Sequence, residues 1–242
     1  MKKYILLTII TLLYGCSDHT DDNVIKFATS AEYPPFEFQQ LGELKGFDID
    51  LAKLIAKEIG KEAVFENIQF SSVLPALEHG QVDAAISTIT ITKERAKNFD
   101  FSIPYYFDQM VTVFNTKTPI LAQADLAGKK IACQLGTVME IWLKNNAPGT
   151  EVITMNSNNQ AIEALKAGHI DAVLIDAAQG AIFSQKNPGL SCAVIAQSED
   201  GYGVAFKKGS NLKSPVDQAI KNLQAKGEIK KLQDKWIEKW KN

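Results

Sequence analysis

ALEHGQVDAAI, residues 76–86, is matched 88 positions later by ALKAGHIDAVL, residues 164–174. Both follow the pattern A-L-x-x-G-x-(V/I)-D-A and end in small or aliphatic residues. Leu77 and Leu165 close helices, Gly80 and Gly168 stand where a left-handed residue ends a helix, and a Val-, Ala- and Ile-rich strand follows at once. Each copy is a helix handing over to a buried strand with almost no loop. The spacing is too long for a solenoid repeat, so the pair predicts two α/β lobes of similar build.

The segments around each copy repeat the same order. KFATS (26–30) reads as a buried strand, followed by the Pro-marked loop AEYPPFEF and the turn GELKG. From Asp48, DIDLAKLIAKEIG keeps apolar residues at 51, 54, 55 and 59 and stops at Gly60, the pattern of an amphipathic helix. AVFENI reads as a strand, SSVLPALEHG as a helix with serine caps and Pro75 in its first turn, and VDAAIS as a third strand. KIACQ, GTVMEIWLKNN, EVITM, NNQAIEALKAG and IDAVLI repeat the βαβαβ order, and the helix QGAIFSQKNPG and strand CAVIA follow. YYFDQMVTVFNT (105–116) is a strand-like run leading out of the first lobe, and GYGVAF leads back. The tail has Ser214 as N-cap and Pro215 at the first helical position, with apolar stripes at 216, 219, 220, 223 and at 229, 232, 236, 240. Expected boundaries are 17–23 for a polar tether, 24–112 for the first part of lobe 1, 113–202 for lobe 2 and 203–242 for the return. Two crossings make a hinge, and the cleft between the lobes is the expected ligand site.

Lys plus Arg number 26 against 28 Asp plus Glu, with no basic run, so nucleic acid is not an expected partner. At the N-terminus MKK precedes YILLTIITLLY, an apolar run too short to span a bilayer. The run ends in Leu13-Tyr14-Gly15-Cys16, which resembles a bacterial lipoprotein signal, although Tyr14 is bulkier than the residue usual there. That class is cut before the cysteine, whose sulfur carries a diacylglycerol, so residues 1–16 read as a signal and Cys16 as the only membrane anchor. Cys133 and Cys192 read as strand-borne and are expected as buried free thiols, with a bridge between them as the alternative. There is no CxxC or HExxH and the histidines are scattered, so neither a metal nor a cofactor is expected.

Directly after the first copy comes ISTITITKERAKNFDFS. Thr88, Thr90 and Thr92 alternate with Ile, which predicts three hydroxyls on one face as the strand ends. Thr92 is placed to cap the short helix KERAKNF, with Arg95 in its first turn. Hydroxyls, helix N–H groups and a guanidinium at the C-terminal end of a parallel strand favour an anion. In the other lobe, Gly136 and Thr137 open a helix after KIACQ as a second small anion cradle, and Asp176 ends the second repeat. Arg95 on one lobe and Asp176 on the other could grip a zwitterion by its carboxylate and its ammonium.

On AEYPPFEF, GFDIDLAKLIAKEIG, the alternating hydroxyls before TKER, FDFSIPYY, LGT, the Asp176 strand end and GYGVAF, residues 24–240 resemble the polar amino-acid-binding proteins of bacterial ABC importers, solute-binding family 3. The resemblance implies an α/β, two-lobed periplasmic-binding-protein fold of type II (a venus flytrap) with two hinge-crossing segments. It implies a non-catalytic protein of the periplasm or cell surface that closes on an amino acid and delivers it to a membrane permease; a monomer is expected. Carried over residue by residue, Arg95 binds the α-carboxylate together with Ser87, Thr88 and Thr90. Gly136, Thr137 and Val138 form the opposing helix start, Asp176 receives the α-ammonium, and Tyr33 and Phe70 wall the side-chain pocket.

Members binding lysine, arginine and ornithine carry Asp where this chain has Ser30, and the first-lobe disulfide of some members is absent. The opening SAEYPPFE is closest to arginine-binding members, so arginine or another basic amino acid is expected. Glu32, Glu37, Gln39 or Gln134 would then meet the ligand cation. If neither carboxylate faces the cleft, glutamine or another neutral polar amino acid becomes the expected ligand. A dehydratase-like enzyme on the same fold, with Glu32 or Glu37 as general acid, is the rival from another class.

Overall fold

The computed structural model describes residues 23–197 and 200–238. The signal, Cys16 and Trp240 lie outside the described residues. The chain opens with β1 (Val24–Thr29) and a small antiparallel sheet of β2 (Glu32–Tyr33), β3 (Glu37–Gln40) and β4 (Glu43–Lys45). There follow α1 (Phe47–Glu58), β5 (Glu62–Asn67), α2 (Phe70–Glu78), β6 (Ala84–Ala85), α3 (Arg95–Asn98) and β7 (Phe99–Phe101). The second half runs β8 (Gln109–Asn115), β9 (Lys130–Gln134), α4 (Val138–Asn146), β10 (Glu151–Met155), α5 (Asn158–Lys166), β11 (Ala172–Asp176), α6 (Ala177–Lys186) and β12 (Leu190–Gln197). It ends with β13 (Ala205–Lys207), α7 (Lys213–Ala225) and α8 (Glu228–Trp236).

The strands form two five-stranded sheets, ordered β5-β1-β6-β13-β7 and β10-β9-β11-β8-β12. In each, the first three strands are parallel, and the fourth joins antiparallel. The repeated sentence occupies the same place in both lobes, as α2–β6 and as α5–β11. Gly80 (φ +72°) and Gly168 (φ +75°) are left-handed. The N–H of Gln81 reaches the Ala76 carbonyl and that of His169 the Ala164 carbonyl, the same helix-ending bond in each copy. The aspartate of the sentence has a structural task. Asp83 Oδ2 accepts from the Lys26 N–H and Asp171 Oδ2 from the Lys130 N–H, both at 2.8 Å, tying the third strand of each unit to its first.

Each lobe has its own core. Phe27, Phe47, Ile55, Phe206 and Ile220 are fully enclosed in the first. Val113, Ala132, Ile162 and Val173 fill one face of the second sheet, and Leu126, Ile131 and Leu143 the other. Enclosing each Ile, Leu or Phe contributes about 2 kcal/mol; apart from the crossing segments, Ala178 alone of the second lobe joins the first cluster. The lobes are joined by two segments that pair where they cross. The Tyr202 N–H donates to the Tyr106 carbonyl at 2.8 Å, and the Tyr105 N–H to the Tyr202 carbonyl at 2.9 Å. Phe36 fills the space beside this crossing, its ring 5.2 Å from Tyr106 and 5.7 Å from Tyr202.

Several local expectations are corrected. The strand read from VDAAIS is only Ala84–Ala85, because the chain turns at Thr88, a left-handed residue (φ +47°). The helix read from SSVLPALEHG begins at Phe70 with Gln69 as N-cap, so the serines lie inside it and Pro75 falls beyond the first turn. The tail helix begins at Lys213, ahead of the expected Ser214 cap, and breaks at the left-handed Gly227 into α7 and α8. Cys133 and Cys192 are free thiols, the first buried and the second half-buried. No helix among the described residues is long and apolar enough to cross a membrane.

Candidate functional site

Ten side chains converge between the lobes: Tyr33, Phe70, Thr88, Thr90 and Arg95 from the first, and Gln134, Thr137, Val138, Met139 and Asp176 from the second. The space they enclose is about 20 Å³, about one water molecule's worth. An amino acid therefore enters only when the lobes part about the two crossing segments.

Arg95 stands at the start of α3, and its N–H is capped by Thr92 Oγ1 at 3.1 Å, as the spacing predicts. Its guanidinium donates to the Thr90 carbonyl at 2.9 Å and, across the cleft, to the Gly136 carbonyl at 3.1 Å. Burial lowers its pKa to about 10, which leaves it charged at neutral pH. Among the described residues no carboxylate forms an ion pair with it. Thr88 and Thr90 reach the cleft from an irregular turn rather than from the strand face expected, and Thr92 serves the helix instead.

Asp176 is the last residue of β11 and stands at the N-cap of α6, yet its side chain makes no capping bond. Instead Oδ2 accepts from the Tyr33 hydroxyl of the other lobe. Burial and then the negative charge of Asp108 raise the Asp176 pKa to about 7. Gln134, which lines the cleft, holds the Asn156 carbonyl with its amide nitrogen at 3.0 Å. The expected anion cradle at Gly136 and Thr137 is different in detail: the Gly136 N–H goes to Glu140 and the Thr137 N–H to the Gln134 carbonyl.

Four sequence-derived candidates are not at the cleft. Glu32 alternates with Tyr33 on β2 and is exposed, lining a separate surface cavity with Pro34, Phe38 and Trp236. Ser87 is buried, donating to Glu37 at 2.7 Å and accepting from the Ser30 N–H at 3.1 Å. Glu37 is itself enclosed, and Gln39 lies in the surface cavity with Glu32. Neither carboxyl named for the general acid of the enzyme reading, Glu32 or Glu37, therefore faces the cleft. Met139, on the first turn of α4, is a cleft residue the sequence reading missed; the Gly-Thr-Val run marks that turn but not how far along it the wall extends. A larger cavity of about 640 Å³ on another face, walled by Phe107, Val111, Ala178 and Val194, gathers no cation; its Asp108 already accepts from the Gln109 and Ala178 N–H groups.

Two independently cored lobes, a paired double crossing and a charged interlobe cleft define a hinged ligand-binding clamp. The chain belongs to the bacterial extracellular solute-binding proteins, family 3, whose model matches residues 25–239. It is 32% identical to the arginine-binding extracellular protein ArtP of Bacillus subtilis, over 98% of each chain. It is 35% identical to the L-cystine-binding protein TcyJ of Escherichia coli, over 85% of this chain and 79% of that one. Solved structures of an ancestral arginine-binding protein bound to arginine and of one bound to glutamine superimpose with TM-scores of 0.85 and 0.84. Both share 36% identity and match 88% of this chain, covering 98% and 97% of theirs.

Proposed function

We propose that this protein is the substrate-binding component of an amino-acid ABC importer, and that its ligand is arginine, held as a zwitterion between the lobes. The observation that carries the reading is the pair of unlike, uncompensated charges facing one cleft. Arg95 has no carboxylate partner and Asp176 no cationic one among the described residues. An α-carboxylate on Arg95, with the Thr88 and Thr90 hydroxyls beside it, and an α-ammonium on Asp176 would satisfy both lobes at once, coupling binding to closure. Tyr33 and Phe70 would stack a planar guanidinium, with the Gln134 oxygen as acceptor. Thr137, Val138 and Met139 would close the far wall. The arginine-binding relatives support this choice.

Glutamine is the second reading. A guanidinium out of water needs an acceptor, and Glu32 and Glu37 both point elsewhere while Ser30 is neutral. A thermal-shift screen against all amino acids separates the two. A ligand at a thousand times its dissociation constant stabilises the native state by about 4 kcal/mol, which raises the melting temperature of a chain this size by roughly 8–16 °C. Arginine is expected to give the largest shift, lysine or ornithine less, and glutamate essentially none. A maximal shift with glutamine and none with arginine would transfer the assignment to glutamine.

The pH dependence follows from Asp176. Its native pKa of about 7 lies above the unfolded value of about 3.9, so the ligand-free native state binds the extra proton. Asp176 therefore costs stability increasingly as pH rises from about 4 to about 7, while the carboxylate needed by the ammonium becomes available over the same window. Arginine affinity should fall by up to about tenfold per pH unit below about 7. In Asp176→Asn both slopes attributable to this group should vanish. Calorimetry and melting curves on both proteins measure this, and an affinity independent of pH in the wild type would remove Asp176 from the ligand.

The lipid anchor at Cys16 belongs to the same proposal, supported by MKK, the short apolar run and Leu-Tyr-Gly-Cys. Mass spectrometry of the mature protein from its native cells should find Cys16 first and acylated. An unmodified terminus elsewhere would leave export without an anchor.

A further inference from the structure

Beneath the Thr88 turn lie two carboxyls that no ligand can touch. Glu37 on β3 and Asp48 in the first turn of α1 are both 0% exposed. Three of the surrounding groups donate to them. Ser87 Oγ gives its proton to Glu37 Oε1 at 2.7 Å. The Thr88 N–H and the Tyr105 hydroxyl both donate to Asp48 Oδ2, at 2.8 and 2.9 Å. The remaining oxygens, Glu37 Oε2 and Asp48 Oδ1, have no donor at all. No Lys or Arg among the described residues forms an ion pair with either carboxyl. The other titratable groups facing the pair are Tyr105 from the crossing segment, Tyr33 opposite Glu37 in the β2–β3 register, and Asp176 from across the cleft.

Two ionised carboxylates with two orphaned oxygens, fully enclosed and without a cation, would carry a large desolvation penalty. One proton neutralises one of the two charges and so lowers it, supplying a donor to one orphan and an acceptor role to the other. Asp48 already accepts two donors and Glu37 only one, so the negative charge belongs on Asp48 and the proton on Glu37. We propose that Glu37 is a permanently neutral acid at physiological pH whose proton bridges to the Asp48 carboxylate, and that this proton-bridged pair positions the Thr88 turn for the ligand carboxylate. Burial first, and then the charge of Asp48, push the Glu37 carboxyl well above the ordinary range, in the same direction. The positioning route is short. Asp48 fixes the Thr88 N–H, Glu37 fixes Ser87 beside it, and Ser87 Oγ in turn accepts from the Ser30 N–H at 3.1 Å. Thr88 has a left-handed backbone (φ +47°), a conformation a threonine keeps only under such restraint.

The positioning role rests on the amino-acid reading of the cleft, but the shared proton does not, and the experiment separates them. Carbon-13 carboxyl labelling of glutamate in the ligand-free protein reads the ionisation of Glu37 directly, with Glu37→Gln assigning the resonance. The expected result is a protonated carboxyl at neutral pH. An ionised one would overturn the proposal. The amide resonance of Thr88 then reads the turn. Glu37→Gln keeps a donor for Asp48 and an acceptor for Ser87, so Thr88 should stay in place and L-arginine affinity should remain within about threefold of wild type. Glu37→Met, similar in length but with neither group, should displace the Thr88 resonance and weaken arginine binding by about tenfold or more. A displaced Thr88 in folded Glu37→Gln, or an undisturbed one in folded Glu37→Met, would refute the positioning role. If the protein binds a different amino acid, the carboxyl and Thr88 readouts stand unaffected.

Discussion

Replacing Arg95 by Ala will remove arginine binding from an otherwise folded protein, at a cost of about 4 kcal/mol or more, a thousandfold in dissociation constant. The size follows from what the guanidinium touches. Its two protein partners are carbonyls, one in each lobe, so a ligand carboxylate would be its one full counter-charge in a cleft closed to water. Truncation would lose that bond and leave the ligand carboxylate enclosed without a cation, with only the Thr88 and Thr90 hydroxyls beside it. Arg95→Lys should recover only part of the loss, because an ammonium cannot hold the Thr90 carbonyl and a carboxylate with the same planar fork. Calorimetry on each variant, after a melting curve establishes folding, provides the measurement. Affinity unchanged in the Ala variant would place the ligand elsewhere.

Gly46→Ala is expected to be the most damaging single-methyl change in the first lobe. Gly46 precedes α1 with φ +128°, and a β-carbon there would lie 2.1 Å from the Phe36 carbonyl oxygen. That carbonyl cannot retreat freely, since it accepts from the Asp48 N–H at 2.8 Å and its residue anchors the aromatic cluster beside the crossing. Strain at the backbone and overpacking together should cost roughly 3–5 kcal/mol. Because Asp48 holds Thr88, the damage should reach ligand affinity as well as stability. Denaturant unfolding with and without arginine would resolve the two, and loss of less than about 1 kcal/mol would show that the segment from Phe36 to Asp48 yields more easily than its contacts imply.

Much of this was legible in the residues because it depends on local physics. A helix that must end before a buried strand needs its glycine, so Gly80 and Gly168 mark the two lobes wherever the rest diverges. Thr92 capping the Arg95 amide is likewise a three-residue relation. Nearly every cleft residue named from the family resemblance also lines the observed cleft. The failures share a cause. Glu32 and Tyr33 are neighbours in sequence but face opposite sides of β2, and a two-residue strand is too short to show its alternation. Ser87 and Glu37 are polar residues near the site whose bonds turn inward, and only tertiary pairing reveals that. VDAAIS suggests a longer strand than Ala84–Ala85 because a threonine in left-handed conformation leaves no mark in composition.

The order of strands in the first sheet bears on how the molecule comes into being. β13, the last strand of the chain, lies between β6 and β7, which are far earlier in sequence. As the chain is synthesised, the first lobe must wait with an open slot between Ala85 and Phe101 until Lys207 has emerged. The strands of the second sheet, residues 109–197, are meanwhile all present and can complete their pairing. The half of the molecule that starts the chain is thus the half that finishes last. That unfilled slot, with two strand edges exposed, is where a nascent chain is most open to pairing with a neighbour instead of with itself.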